Sequence, residues 1–158
     1  MEKFLRQALP DGQFPDVSAT RSRTMAAIRG KDNRTTERKF RMALVRSHIR
    51  GWTTHAVLPG RPDILFPEEK IVIFLDGCFW HACGRCGHVP KSNSVFWTRK
   101  LEGTRRRDRK NTRNLRKQGF IVMRAWEHSI RNGKSLHQFI KKLQHVRRLI
   151  SEAHLQKI

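Results

Sequence analysis

The stretch IVIFLDGCFWHACGRC, residues 71 to 86, constrains this chain more than any other. Its first five residues are apolar without alternation, and a strand that turns no polar side chain outward is stable only with both faces covered. The sheet that holds it must lie between layers of helix. All three cysteines follow within nine residues, so a buried strand delivers the cysteine segment to one edge of that sheet.

The flanking sequence supplies the other elements. A helix predicted to start at Asn33 or Thr35 runs through TERKFRMALVRSH, with Phe40, Ala43, Leu44 and Ser47 on one face. PGRPDILF supplies a short strand, and PEEK a turn back into IVIFL. SNSVFWTRKLEGTRRRDRKNTRNLRKQG predicts a long basic helix, interrupted at Gly103 and capped by a left-handed Gly119. FIVMRAW reads as a further strand. Ser135 with Gln138 forms a capping-box pattern before Leu136, Phe139, Ile140, Leu143, Val146 and Ile150, which recur at helical spacing. This order predicts an α/β fold with a mixed central sheet flanked by helices. Residues 1 to 19, with Pro10, Gly12 and Pro15 and no apolar period, read as a flexible N-terminal arm before a single domain spanning 20 to 158.

A chain of 158 residues can bury a core of its own without disulfides. Its 34 Lys and Arg against 13 Asp and Glu give a formal charge of +21, which repels itself unless a polyanion neutralises it. Nucleic acid is the expected partner. Ten of those cations fall between residues 99 and 117 with only two acids, a segment suited to gripping a phosphate backbone, with Arg105 and Arg107 in its middle and Lys91 just ahead. No apolar run approaches the ~20 residues of a membrane span. The acids and prolines of the first twenty residues leave no signal-peptide core. The expected location is the cytoplasm.

Three clustered cysteines in a reducing compartment suit a metal better than a disulfide framework. Cys83-x-x-Cys86 has the spacing of zinc knuckles, and Cys78 can close over the same ion. A redox pair is the competing reading, but such pairs open a helix and carry no third cysteine. Spacing leaves the fourth ligand open among His81, His88 and His128.

Four acids merit attention. Asp63 opens a short strand and Asp76 ends the next, so a strand-turn-strand unit brings both to one edge, where carboxylates hold Mg²⁺ over a phosphate. Glu37, in the first turn of helix one, can join them. Each has an ordinary alternative: a helix N-terminus for Glu37, an ion pair with Arg61 for Asp63, a turn for Asp76-Gly77, and a local counter-charge for Asp108 in RRRDRK. His81, anchored between cysteines behind two large aromatics, is placed to take a proton from water, with zinc ligation as the equal alternative.

Taken in order, LPGRPDILF, IVIFLDGCFWH, HVPKSN, FW at 96 and 97, RRRDRKN and VMRAWEH resemble the Vsr-type endonucleases, the very-short-patch-repair mismatch nickases of bacteria. The resemblance covers roughly Thr20 to Arg131. It implies a restriction-endonuclease-like core and a nick on the 5′ side of the thymine in a T:G mismatch of double-stranded DNA. It makes Asp63 the principal Mg²⁺ carboxylate, adds a metal contact from the Leu75 carbonyl, and makes His81 the base that activates water. Structural zinc falls on Cys78, Cys83, Cys86 and His128. Phe79 and Trp80 match aromatics that wedge beside the mismatch, and Met25 matches a methionine entering from the other groove. A monomer, with contact to mismatch-repair factors, is implied as well.

The chain departs from the best-known member at three places. Leu75-Asp76 stands for Thr-His, Cys83 and Cys86 for a histidine and a more closely spaced cysteine, and Thr104 for an asparagine. Unstacking a base step costs a few kcal/mol, least at a mismatch, so apolar wedges turn weak pairing into selectivity. Trp97 and Trp126 read as core. Two other functions are open on the same residues: a non-catalytic zinc-bearing nucleic-acid binder, and a nuclease with broader mismatch or double-strand specificity.

Overall fold

The computed structural model describes Thr20, Arg23 and residues 34–156, without side-chain detail at 34 and 35. The expected 1–19 arm and Met25 lie outside the described residues.

A π-helical turn, Arg34–Arg38, leads into α1, Lys39–Arg46. The single α-helix expected from Asn33 or Thr35 to His48 is therefore split, and α1 continues directly from Arg38 without a side-chain cap. After the loop come β1 (Thr53–Thr54), β2 (Ile64–Phe66) and β3 (Ile71–Asp76). Then follow α2 (Ser94–Lys117), β4 (Ile121–Trp126), α3 (Glu127–Arg131) and α4 (Gly133–Leu155). Helix α2 runs straight through Gly103, so the expected interruption is absent: Leu101 and Thr104 are buried on either side and hold that turn against the body. α4 starts two residues before the Ser135 capping pattern, because the Asn132 side chain accepts the Ser135 backbone N–H and takes the capping role.

The sheet is mixed, in the order β1-β2-β3-β4. β1–β2 and β2–β3 are antiparallel, while β3 and β4 run parallel with Ile73 opposite Met123 and Asp76 opposite Trp126. The parallel crossover is supplied by α2. Ile64, Phe66, Ile71, Ile73, Met123 and Ala125 face a layer built from Phe40 and Leu44 of α1, Ile130 of α3, and Leu136, Ile140 and Leu143 of α4. Alternate residues Val72 and Phe74 turn to the other face and pack with Leu115 of α2. β3 is thus covered on both sides, as its unbroken apolar run requires. Fully burying each large aliphatic side chain contributes about 1.5–3 kcal/mol. No helix among the described residues is long and apolar enough to cross a membrane.

The turn before β2 sets the height of Asp63. Gly60 has φ +82, and a Cβ there would lie 2.9 Å from the Asn111 side chain and 3.2 Å from the Phe74 ring. Arg61 follows, also in the left-handed region, with its N–H on the Leu58 carbonyl at 2.8 Å. Gly60→Ala is expected to destabilise the protein by more than about 1 kcal/mol in urea unfolding, since backbone strain and the clash on α2 add.

Candidate active site and metal centre

β3 ends at Asp76, and Gly77–Cys83 then coils back on itself. The N–H of His81 reaches the Gly77 carbonyl, that of Ala82 the Phe79 carbonyl, and that of Cys83 the Cys78 carbonyl. Across the parallel pair, β4 ends at Trp126, so Glu127 and His128 emerge beside the same loop. Glu127 accepts the Cys78 backbone N–H at 3.1 Å and pairs with Arg131.

Cys78, Cys83, Cys86 and His128 gather so that their ligand atoms all lie within 4.8 Å of one another. His128 Nδ1 is 3.2, 3.6 and 3.4 Å from the sulfurs of Cys78, Cys83 and Cys86, and Cys83 and Cys86 stand 3.7 Å apart. Tetrahedral zinc with Zn–S ≈ 2.3 Å and Zn–N ≈ 2.0–2.1 Å requires S···S near 3.8 Å and S···N near 3.6 Å. Donor type, number and spacing all fit Zn²⁺. Burial acts to raise the Cys83 thiol, but the backbone amides of Arg85 and Cys86 and the neighbouring thiols outweigh it and lower its pKa. Cys86 goes the other way, pushed up to about 12 by its contact with Cys78, by burial and by Cys83, so the close-packed thiols share charge unevenly until a metal displaces their protons. Gly87 is required by contact alone: its N–H meets the Cys83 carbonyl at 2.8 Å, and a Cβ would lie 2.5 Å from that oxygen. Of the other two histidines, His88 is exposed and leans on Phe79, and His81 has a different partner.

That partner is Asp108, whose Oδ2 lies 2.7 Å from His81 Nδ1. Asp76 Oδ1 stands farther from the same nitrogen, at 3.6 Å. Both oxygens of Asp76 are taken by Arg124: Nε at 2.6 Å and Nη2 at 2.8 Å. Burial acts to raise the Asp108 carboxyl, yet its hydrogen bond with His81 and the charges of His81, Arg124 and Arg107 hold it below its ordinary value.

Asp63 is treated oppositely. Its Oδ2 accepts the Leu75 backbone N–H at 2.7 Å, and no ion pair with Arg61 forms among the described residues. Burial pushes its pKa up to about 6; the Leu75 N–H works against this, and the charges of Glu37 and Asp76 reinforce it. Glu37, Asp63 and Asp76 therefore crowd one region with negative charge. The described residues contain no compact three-carboxylate cage, the Cys3His group being the one close cluster of metal-type ligands.

Trp80 is 37% exposed and meets Phe79 edge to face at 4.9 Å. Trp97, expected in the core, is instead half-buried behind them, 5.2 Å from Phe79, and Lys100 Nζ lies over both indoles. Trp126, also expected in the core, is half-buried and stacks on the His128 ring. Lys91, Arg105 and Arg107 are exposed. A cleft of about 780 Å³ opens beside His81 and Asp108, lined on α2 by Arg105, Arg109, Arg113 and Arg116 and on β4 by Arg124. Arg124 was not singled out from sequence; the signal was a lone charge inside the apolar strand FIVMRAW.

Two measurements follow. Cys83→Ser is expected to lower zinc stoichiometry and melting temperature together, because ligand binding and folding are linked; full metal content in that variant excludes Cys83 as a ligand. The raised Asp63 pKa stabilises the fold fully below about pH 3.8 and is lost as pH rises through about 6. In Mg²⁺-free buffer, Asp63→Asn is expected to gain about 1–3 kcal/mol on wild type between pH 4 and 7.5. Urea unfolding at both pH values reads that difference.

Comparison with known proteins identifies relatives of the chain. The model of the family described as DNA mismatch endonuclease Vsr matches residues 16–86. The type II nicking enzyme V.NaeI of Lentzea aerocolonigenes is 35% identical over 128 residues, covering 77% of this chain and 76% of its own length. The DNA mismatch endonuclease Vsr of Escherichia coli K12 is 35% identical over 120 residues, 75% of this chain and 76% of its own. The type II nicking enzyme V.NmeAIP of Neisseria meningitidis is 45% identical over 75 residues, 46% of this chain and 53% of its own. With two relatives aligned across about three quarters of each chain, this protein belongs to the Vsr family of DNA mismatch endonucleases.

Proposed function

We propose that this chain is an endodeoxyribonuclease that nicks one strand of double-stranded DNA on the 5′ side of the thymine in a T:G mismatch, in a Mg²⁺-dependent reaction. The observation that carries the reading is the 2.7 Å contact between His81 Nδ1 and Asp108. A carboxylate on Nδ1 fixes the proton there and leaves Nε2 bare, the tautomer a general base needs. Asp108 is thus a positioning residue for His81, rather than the local counter-charge its sequence neighbours suggest.

Support for Mg²⁺ comes from the donor chemistry around Asp63. A half-buried carboxylate with its pKa at about 6 beside two further acids is relieved by a hard divalent cation, and carboxylate and carbonyl oxygens are the donors such ions take. Asp63 and the Leu75 carbonyl would hold the ion, with Glu37 close enough to add charge. When bound, Mg²⁺ neutralises the scissile phosphate and the departing 3′ oxygen. The Leu75 N–H keeps one Asp63 oxygen in place, and His81 withdraws the proton from water. Asp76, with both oxygens on Arg124, orders the site rather than touching metal.

The wedge role of Phe79 and Trp80 is supported by the exposure of Trp80 and by the backing of both rings: Phe79 is half-buried, and Trp97 and Lys100 form a floor that resists their folding away. Met25 is retained as the wedge from the opposite groove. Lys91, Arg105 and Arg107, with the cations of α2, grip the backbone, and zinc holds the loop that carries His81. The protein acts as a cytoplasmic monomer that can hand its nick to mismatch-repair factors.

Strand-resolved cleavage of duplexes differing only in a central T:G, T:A or other mismatch tests this, with Mg²⁺ or EDTA. A Mg²⁺-dependent nick just 5′ of the mismatched thymine is expected, lost in His81→Ala and Asp63→Ala while duplex binding persists. Tight binding of every duplex without a cut points instead to a binding protein, and equal cutting of all mismatches to a broader nuclease. Affinity should fall by ~10³–10⁵ between 50 and 200 mM salt if ~6–10 phosphates are neutralised.

A further inference from the structure

Two carboxylates face one imidazole nitrogen, and a single N–H can serve only one of them well. Asp108 Oδ2 is 2.7 Å from His81 Nδ1 and Asp76 Oδ1 is 3.6 Å from it. Asp76 is 2% exposed, and a charge so buried is costly unless paired and hydrogen-bonded. Its side-chain hydrogen bonds among the described residues both come from Arg124, through the planar fork of Nε and Nη2. The remaining guanidinium nitrogen, Nη1, donates to Thr112 Oγ1 of α2 at 3.3 Å, and the group lies 4.8 Å over the Phe74 ring of β3. Nη2 is also 3.6 Å from Asp108 Oδ2. Arg124 therefore joins β3, β4 and α2 directly beneath the imidazole.

We propose that Arg124 is a positioning residue for the cutting reaction: by occupying both oxygens of Asp76 it removes the competing acceptor and leaves His81 aligned on Asp108 alone. This rests on His81 being the base. Without the fork, Asp76 is an unpaired buried carboxylate with His81 Nδ1 already 3.6 Å away, under 1 Å beyond hydrogen-bonding distance. The ring swings toward it, and Nε2, on the opposite side of the ring, moves off the water. A misplacement of about 1 Å at a reacting group costs about 10²-fold in rate.

The cause of the loss is then Asp76, not the missing cation, and a second substitution separates the two. Single-turnover nicking of a T:G duplex by the zinc-loaded full chain is measured with saturating Mg²⁺, alongside duplex affinity and melting temperature. Arg124→Met is expected to lose about 10²-fold in rate with affinity changed less than about threefold. The double variant Asp76→Leu with Arg124→Met, which removes the competing acceptor along with both charges, should regain at least about tenfold of that loss. Arg124→Lys, which keeps the charge without the fork, should lose rate and serves if Arg124→Met does not fold. A double variant as slow as Arg124→Met overturns the proposal, since Arg124 would then act on the phosphate itself. So does an Arg124→Met or Arg124→Lys enzyme of normal rate. His81→Ala run in parallel separates the two levels: nicking that survives there overturns the underlying reading and this one with it. Nicking lost there but intact in Arg124→Met overturns the clamp alone.

Discussion

The site depends on the parallel pairing of β3 with β4. In a parallel pair both strands leave the sheet at the same edge, and here the register sets Asp76 opposite Trp126. The residues that follow each strand, Gly77–Cys78 and Glu127–His128, emerge side by side although about fifty positions separate them in sequence. Ligands of α/β sheets gather outside the carboxyl ends of their strands for this reason. The Cys3His cluster and the His81–Asp108 pair both sit at that edge. Moving β4 one residue along β3 would exchange its two faces and carry Arg124 away from Asp76.

Electrostatics then sorts the three carboxylates nearest the edge. Asp76 is neutralised by the Arg124 fork, and Asp108 is held ionised by His81, Arg124 and Arg107. The pKa of Asp63 is pushed up to about 6 by burial first and by the charges of Glu37 and Asp76 second, against the Leu75 backbone N–H. Acids with separated pKa values in one site commonly have separate roles.

Much of the fold could be read from the chain. The unbroken IVIFL run implied two covering layers, and the helical spacing of Leu136, Ile140 and Leu143 marked the face that now packs on the sheet. Boundaries were less legible, because caps compete locally: Asn132 captures the Ser135 amide before Ser135 can cap anything itself. At the site, residue types on one short loop were recognisable, but pairings across the sheet were not. Nothing in RRRDRK distinguishes an acid that balances its neighbours from one that reaches His81 across 27 positions. The fourth zinc-type ligand likewise depends on strand register, which spacing within the cysteine loop cannot encode. Trp97 looked like core because an amphipathic helix buries its aromatics, yet here it backs other aromatics at the surface.

The seven-residue coil from Gly77 to Cys83 places its exposed aromatic next to its imidazole, at Trp80 and His81. Adjacent Cα atoms are 3.80 Å apart across a trans peptide, and the coil is pinned at one end by Glu127 and at the other by the cysteine cluster. The loop cannot stretch between them. Under the roles proposed for Trp80 and His81, such a loop is a fixed ruler: the bond to be cut would be set by its distance from the wedge.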